Sequence, residues 1–197
     1  SNDQQGIKNG WHSNAIKMLE TWDSISATNG NEPELGFSVF AANGNVKLPF
    51  VSFSTLPGVT CPGAGECLKF CYSYKAWRYP AAFFRQLQNT LLMKYRRNVI
   101  QDAFNAIVAK HGRKLSAGKT DKKLQFRLYV DGDFATIDEL NFWMQLLACN
   151  VESVDAYGYS KSWDLFEEYD NSEFHWPKNY RLNLSSGSRH ENDARLF

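Results

Sequence analysis

Cys61, Cys67 and Cys71 fall within eleven residues, spaced Cys-x5-Cys-x3-Cys and followed by Tyr72. The loop that carries them, Leu56 through Cys67, is punctuated by Pro57, Gly58, Pro62, Gly63 and Gly65, which forbid a regular element and let the chain bend around a centre. Thiolates are the ligands of soft metals, so the spacing points to a metal or iron–sulfur site. Three cysteines suffice for a [4Fe–4S] cluster, and leave one iron for an exogenous ligand. Structural zinc wants a fourth protein ligand, for which Cys149, His111, His175 and His190 are the nearest candidates. A disulfide within the triplet and plain packing stay open beside these.

The elements that must position the triplet can be read from periodicity. Trp11, Ala15, Ile16, Leu19 and Trp22 recur at helical spacing, so residues 11–27 form an amphipathic helix ended by Asn29-Gly30. Phe37 to Phe40 and Val46 to Phe53 read as a hairpin around Asn43-Gly44. Pro80 suits the first position of a helix whose stripe, Phe84, Leu87, Leu91, Tyr95, Val99, Ala103 and Ile107, runs to His111-Gly112. Its length predicts a break near Arg96-Arg97-Asn98.

A βα rhythm follows. Leu124 to Val130 is a strand, and Thr136 with Glu139 makes a capping box for a helix ending near Asn150. Val151 to Tyr159 is the next strand, Trp163 to Tyr169 a short helix, and Tyr180 to Leu184 the last strand. With Val46–Thr55 as the first strand, four strand-to-helix units imply an α/β fold: an open, partial (βα) barrel-like sheet, mostly parallel, with right-handed crossovers. Residues 1–197 read as one domain, with 1–45 as an N-terminal helix and hairpin extension. In such sheets chemistry sits outside the strand carboxyl ends. Those ends carry the cysteine loop, Asp131-Gly132-Asp133, Tyr157-Gly158-Tyr159-Ser160 and Ser185-Ser186-Gly187-Ser188, which makes them one candidate site. Cys149 ends the helix after Asp133, on the opposite side of the sheet, and is expected to be a buried thiol rather than a ligand.

Composition bounds the partners. The 197 residues are 43% hydrophobic and 15% aromatic with a formal charge of +1, and the mean hydropathy is −0.46. This describes a folded chain with a sizeable core, and no run approaches the 18 apolar residues a membrane span needs. A reducing cytosol is the expected setting, since four cysteines are too few and too clustered for a disulfide scaffold. The opening residues carry no signal-peptide or transit-peptide pattern. Residues 85–123 carry ten Lys/Arg against Asp102 and Asp121, a net of +8, whereas 131–175 carry eleven carboxylates against Lys161, a net of −10. The two segments could pair within the fold. Alternatively Arg96, Arg97, Arg113, Lys114, Lys119, Lys122 and Lys123, interleaved with Tyr95 and Phe104, could contact nucleic acid. No Walker loop, dinucleotide fingerprint, Gly-x-Ser-x-Gly elbow or His-Glu-x-x-His occurs, and no histidine is assigned a role.

The stretch from Leu56-Pro57-Gly58-Val59-Thr60-Cys61 through Cys67-Leu68-Lys69-Phe70-Cys71-Tyr72, then Val130-Asp131-Gly132-Asp133-Phe134 and Tyr157-Gly158-Tyr159-Ser160-Lys161-Ser162-Trp163, resembles the gene product 88 family of phages and plasmids. That resemblance implies a mobile-element protein, binding nucleic acid or modulating the host. A more distant resemblance is to radical S-adenosylmethionine enzymes, which carry a cysteine triplet after the first strand of a partial βα barrel. It implies a cluster on Cys61, Cys67 and Cys71, with Gly132 and Asp133 meeting the methionine amine. It also makes Tyr159, Ser185, Ser186 and Ser188 candidates for the rest of the cofactor. The triplet here is longer-spaced, and there are four strand units instead of six. A third reading is a zinc-stabilised interaction module without catalysis, its aromatic residues serving as interface anchors.

Overall fold

A computed structural model describes residues 37–42 and 49–192. Four parallel strands, β1 (Val51–Ser52), β2 (Leu124–Leu128), β3 (Val154–Ser160) and β4 (Tyr180–Leu184), form one sheet in sequential order. Between β1 and β2 come two short 3₁₀ segments, Glu66–Lys69 and Tyr72–Arg78, and two helices, α1 (Pro80–Tyr95) and α2 (Arg97–Ser116). Helix α3 (Ile137–Ala148) joins β2 to β3, and α4 (Trp163–Asp170) joins β3 to β4. The α/β architecture is open, as the βα rhythm implies, and does not close into a barrel.

The register explains the layering. Phe126 pairs with Val51 and Ala156, and Arg127 with Ser52 and Tyr157. Leu124, Phe126 and Leu128 on β2, with Val154 and Ala156 on β3, therefore point to one face, where they are buried. Met93, Ile100 and Phe104 from α1 and α2, Leu140, Trp143 and Leu147 from α3, and Phe166 and Tyr169 from α4 cover that face in a single core. The alternate residues Gln125, Arg127, Asp155, Tyr157, Tyr159, Arg181 and Asn183 emerge on the other face, half-buried or exposed.

A second, smaller core of Leu56, Tyr74, Trp77, Phe83, Leu87 and Leu91 sits beneath the cysteine loop, with Cys71 packed against it. It gives an otherwise irregular segment its own apolar floor. The two 3₁₀ turns within and after this loop escape the sequence reading, because Pro and Gly spacing marks only where regular structure is broken.

Several boundaries shift. The break between α1 and α2 falls at Arg96, whose φ of −140° and ψ of 52° lie outside the helical region. Helix α2 runs on to Ser116, past His111-Gly112, and Gly112 is simply helical. Strand β2 stops at Leu128 instead of Val130, because Tyr129 adopts a φ of +51° and turns the chain. Strand β3 begins at Val154 instead of Val151, after a turn in which the Ser153 N–H donates to Asn150 O at 3.0 Å. Half of the expected capping box forms at α3: Thr136 Oγ1 accepts the Glu139 N–H at 3.2 Å, while Glu139 reaches one residue further back, to the Ala135 N–H at 3.1 Å. Cys149 is exposed, correcting the expected buried thiol; it caps α3 just past the last apolar position, at the end of the sheet opposite the cysteine loop. The expected helix 11–27 and the Asn43-Gly44 turn lie outside the described residues, as does most of the 1–45 extension. Next to that turn, Ala41 and Ser52 exchange backbone hydrogen bonds of 3.0 and 2.9 Å as an antiparallel bridge.

Candidate functional site

Beyond the carboxyl ends of the strands lies a cavity of about 360 Å³. One wall is the cysteine loop, with Cys61, Cys67 and Cys71 beside Pro57, Gly58, Leu68 and Phe70. The opposite wall is the strand ends: Arg127 in β2 with Tyr129, Asp131, Gly132 and Asp133 after it, Tyr159 in β3 with Lys161 after it, and Ser185 and Ser186 after β4. The four loops that parallel topology assigns to one rim thus meet around one space.

Backbone geometry holds the loop there. Sheet pairing continues past the strand ends, with Phe53 N donating to Arg127 O at 3.0 Å, Val130 N to Phe53 O at 3.1 Å and Thr55 N to Asp131 O at 3.0 Å. Gly132 has a φ of +80°, and a Cβ there would lie 2.1 Å from Thr55 Oγ1, so only glycine lets the β2 end close on the β1 end. At the other edge Ala64 and Ser188 form an isolated antiparallel bridge, and Gly65 N donates to Gly187 O at 3.0 Å.

The three cysteines are free thiols, each half-buried. Burial pushes the Cys61 thiol up to about 12, Asp133, Cys71 and Cys67 add to this, and the Gly58 N–H 3.4 Å from its sulfur works against it. Cys67 is also raised, by burial first, with the nearby Lys161 ammonium pulling it down. Tyr74 is pushed up to about 12 by burial and then by the three cysteines together. These mutual effects place the sulfurs in one electrostatic neighbourhood. Among the described residues, however, no group of three or more His, Cys, Asp or Glu is arranged to hold a single metal ion. Of the other proposed zinc ligands, His111 shares a hydrogen with Lys122 O at 2.8 Å, and His190 lies 3.2 Å from Asp164.

Asp133 is nearly fully buried and already engaged. Its Oδ1 accepts from Ser160 Oγ at 2.6 Å and from the Phe134 N–H at 2.8 Å, and its Oδ2 from the Lys161 N–H at 2.8 Å. Burial nevertheless outweighs these bonds and raises its carboxyl to about 6. The residue therefore organises the β2 and β3 ends more than it reaches into the cavity. Asp131, raised by burial against the favourable contacts of Ser73, Arg127 and Gln86, accepts from Gln86 Nε2 at 3.0 Å. Gln86 Oε1 in turn accepts the Trp77 indole N–H at 2.8 Å, which ties the loop's small core to the strand end.

Of the sequence candidates, Cys61, Cys67, Cys71, Gly132, Asp133, Tyr159, Ser185 and Ser186 all line the cavity. Ser188 does not: its buried Oγ lies 2.8 Å from Lys161 O and 3.1 Å from Gly63 O, tying loop to loop. The basic residues sit elsewhere. Arg113, Lys114, Lys119 and Lys122 are exposed where α2 leads into β2, at the far end of the sheet. Arg96 is half-buried at the helix break. Arg97 donates to Met93 O at 2.8 Å, and Lys123 to Val151 O at 2.7 Å. Sequence reasoning missed Arg127 and Tyr72, whose hydroxyl donates to Val130 O at 3.3 Å across the rim. The alternation of Leu124, Phe126 and Leu128 was the available signal for Arg127, since it puts residue 127 on the open face.

Among the described residues no helix is long and apolar enough to cross a membrane. The sequence profile of the Gene product 88 family matches residues 17–197. No curated protein and no solved structure matches the chain.

Proposed function

We propose that this chain, which belongs to the Gene product 88 family and is thereby a mobile-element protein, holds an iron–sulfur cluster on Cys61, Cys67 and Cys71. The observation that carries the reading is that three free thiols line one cavity. In a cubane cluster each cysteine binds its own iron, so the thiols surround the group. A mononuclear zinc site needs four ligands converging on a point. When bound, such a cluster supplies one-electron transfer and an open iron site; the protein supplies binding, orientation and exclusion of water.

The chain's own residues do the preparing. Cys61, its thiol raised by burial, would give up its proton to a bound group, and the Gly58 N–H beside its sulfur would then donate to a thiolate. Lys161 offsets part of the negative charge near Cys67. Pro57, Leu68 and Phe70 give that wall an apolar lining. S-adenosylmethionine fits less well, since Asp133, the residue implied for its amine, already accepts three hydrogen bonds within the scaffold.

Anaerobic reconstitution tests this reading. A brown protein with about four iron and four sulfide per chain is expected, lost on replacing any one of the three cysteines by alanine. A colourless, iron-free product overturns it, and so does one tightly held zinc whose removal unfolds the chain.

A second reading concerns the opposite end of the sheet. The four exposed cations Arg113, Lys114, Lys119 and Lys122 favour contact with a phosphate backbone. Affinity for a DNA or RNA oligonucleotide that falls steeply with salt, and falls again when these four become glutamine, is expected. Negligible binding at low salt removes this reading.

A further inference from the structure

Arg127 occupies an unusual position on the cavity wall. It projects from the middle strand pair onto the open face, where its guanidinium carbon lies 5.8 Å from the ring centre of Phe50, 6.0 Å from Tyr157 and 5.3 Å from Tyr159. The rings are braced against each other, Phe50 and Tyr157 at 6.2 Å and Tyr157 and Tyr159 at 6.4 Å, both edge to face. Parallel register sets this up by placing Arg127 opposite Tyr157. Aromatic faces hold and desolvate a cation, yet they do not use its N–H donors in directional bonds.

Those donors are underused. Arg127 Nε is buried and has no hydrogen-bond partner among the described residues. Arg127 also forms no ion pair there; Asp131, the carboxylate that feels its charge, spends its bonds on Gln86 and Ser73. A single guanidinium supplies one positive charge, which matches a monoanion. The rings favour a flat body: Tyr159 is 47% exposed, and Phe70 and Tyr72, exposed by 69% and 63%, stand on the same cavity.

We propose that Arg127, with Phe50, Tyr157 and Tyr159, forms a subsite for the oxyanion of a planar aromatic monoanion, the guanidinium gripping a carboxylate or phosphodiester while the ring lies against Tyr159. This names the ligand class of the cavity and rests on the reading of that cavity as the working site. A phosphodiester and a carboxylate present the same forked acceptor to a guanidinium, so the two sources are separated by the probe.

Binding of the dinucleotide TpT and of N-acetyl-L-tryptophan to the metal-free full chain, measured by calorimetry against neutral thymidine and N-acetyl-L-tryptophanamide, tests it. At least one anion is expected to bind at least about tenfold more tightly than its neutral counterpart, the worth of a charge-assisted hydrogen-bond pair. Which anion wins identifies the oxyanion. Arg127→Gln should erase the preference, Arg127→Lys should restore only part of it for want of the planar fork, and Tyr159→Ala should weaken both probes. Equal affinity for anionic and neutral probes overturns the proposal, as does a preference that survives Arg127→Gln. Should that variant fold poorly, an anion preference in the unaltered chain that does not shrink with added salt overturns it equally. Iron content of the reconstituted chain is scored separately, so loss of the cluster reading does not imitate loss of the subsite.

Discussion

Replacing Gly63 by alanine will destabilise the protein by about 3 kcal/mol or more, or prevent it from folding. Gly63 lies in the cysteine loop where it crosses the end of β3. A Cβ built on it falls 1.9 Å from Lys161 O, 2.3 Å from the Lys161 carbonyl carbon and 2.5 Å from Ser162 Cα. All three are backbone atoms, and none can rotate aside. Ser162, next in line, is fully buried with its hydroxyl donating to Phe134 O at 2.9 Å, so the β3 end has no room to retreat. The loop would have to lift, and its hydrogen bond from Arg189 N to Gly63 O, 3.0 Å, would go with it. Gly112→Ala is the matched control: nothing lies within 4 Å of its added carbon inside α2, and removing a helical glycine should stabilise by about 0.5–1 kcal/mol. Denaturant melts of the two variants check this pair. A Gly63→Ala protein as stable as the parent would mean the loop is not seated against β3.

The second large effect is electrostatic. Asp133 has its carboxyl raised from 3.8 to about 6, so the folded chain holds this proton more tightly than the unfolded chain does. Its contribution is fully present below pH 3.8 and is lost as pH rises through 6, the reverse of an ion-paired carboxylate. The rise corresponds to about 3 kcal/mol. Asp131 and Glu139 are raised in the same direction by burial and act with it. Metal-free protein should therefore lose about 2.5 kcal/mol more stability between pH 4 and pH 7 than Asp133→Asn does, the variant having no proton to release there. Parallel pH profiles for the two proteins would show that Asp133 is not buried as described.

Much of this site could be anticipated because its placement is topological. Once Leu124 to Leu128, Val154 to Ser160 and Tyr180 to Leu184 are read as parallel strands, their following loops must share a rim, and the observed last strand begins and ends where alternation puts it. Three features resist such reading for physical reasons. Tyr129 turns the chain with a positive φ that its bulk disfavours, and no residue type announces that. Arg127 on an outward strand position looks like any solvated cation until the neighbouring strand supplies Tyr157 and Tyr159. The role of Ser188 depends on a partner 125 residues away, Gly63. Sequence patterns carry the period of an element well, but they do not carry which distant backbone atom a short side chain will meet.

That distance has a bearing on how the molecule comes into being. The bridge between Ala64 and Ser188 straps the loop after the first strand to the loop after the last. Closing so long a stretch costs chain entropy that local contacts cannot repay early. During synthesis the thiols emerge well before the segment that clasps them, so they spend the nascent phase unclasped and open to oxidants. The cavity they line is complete only once translation has passed the fourth strand.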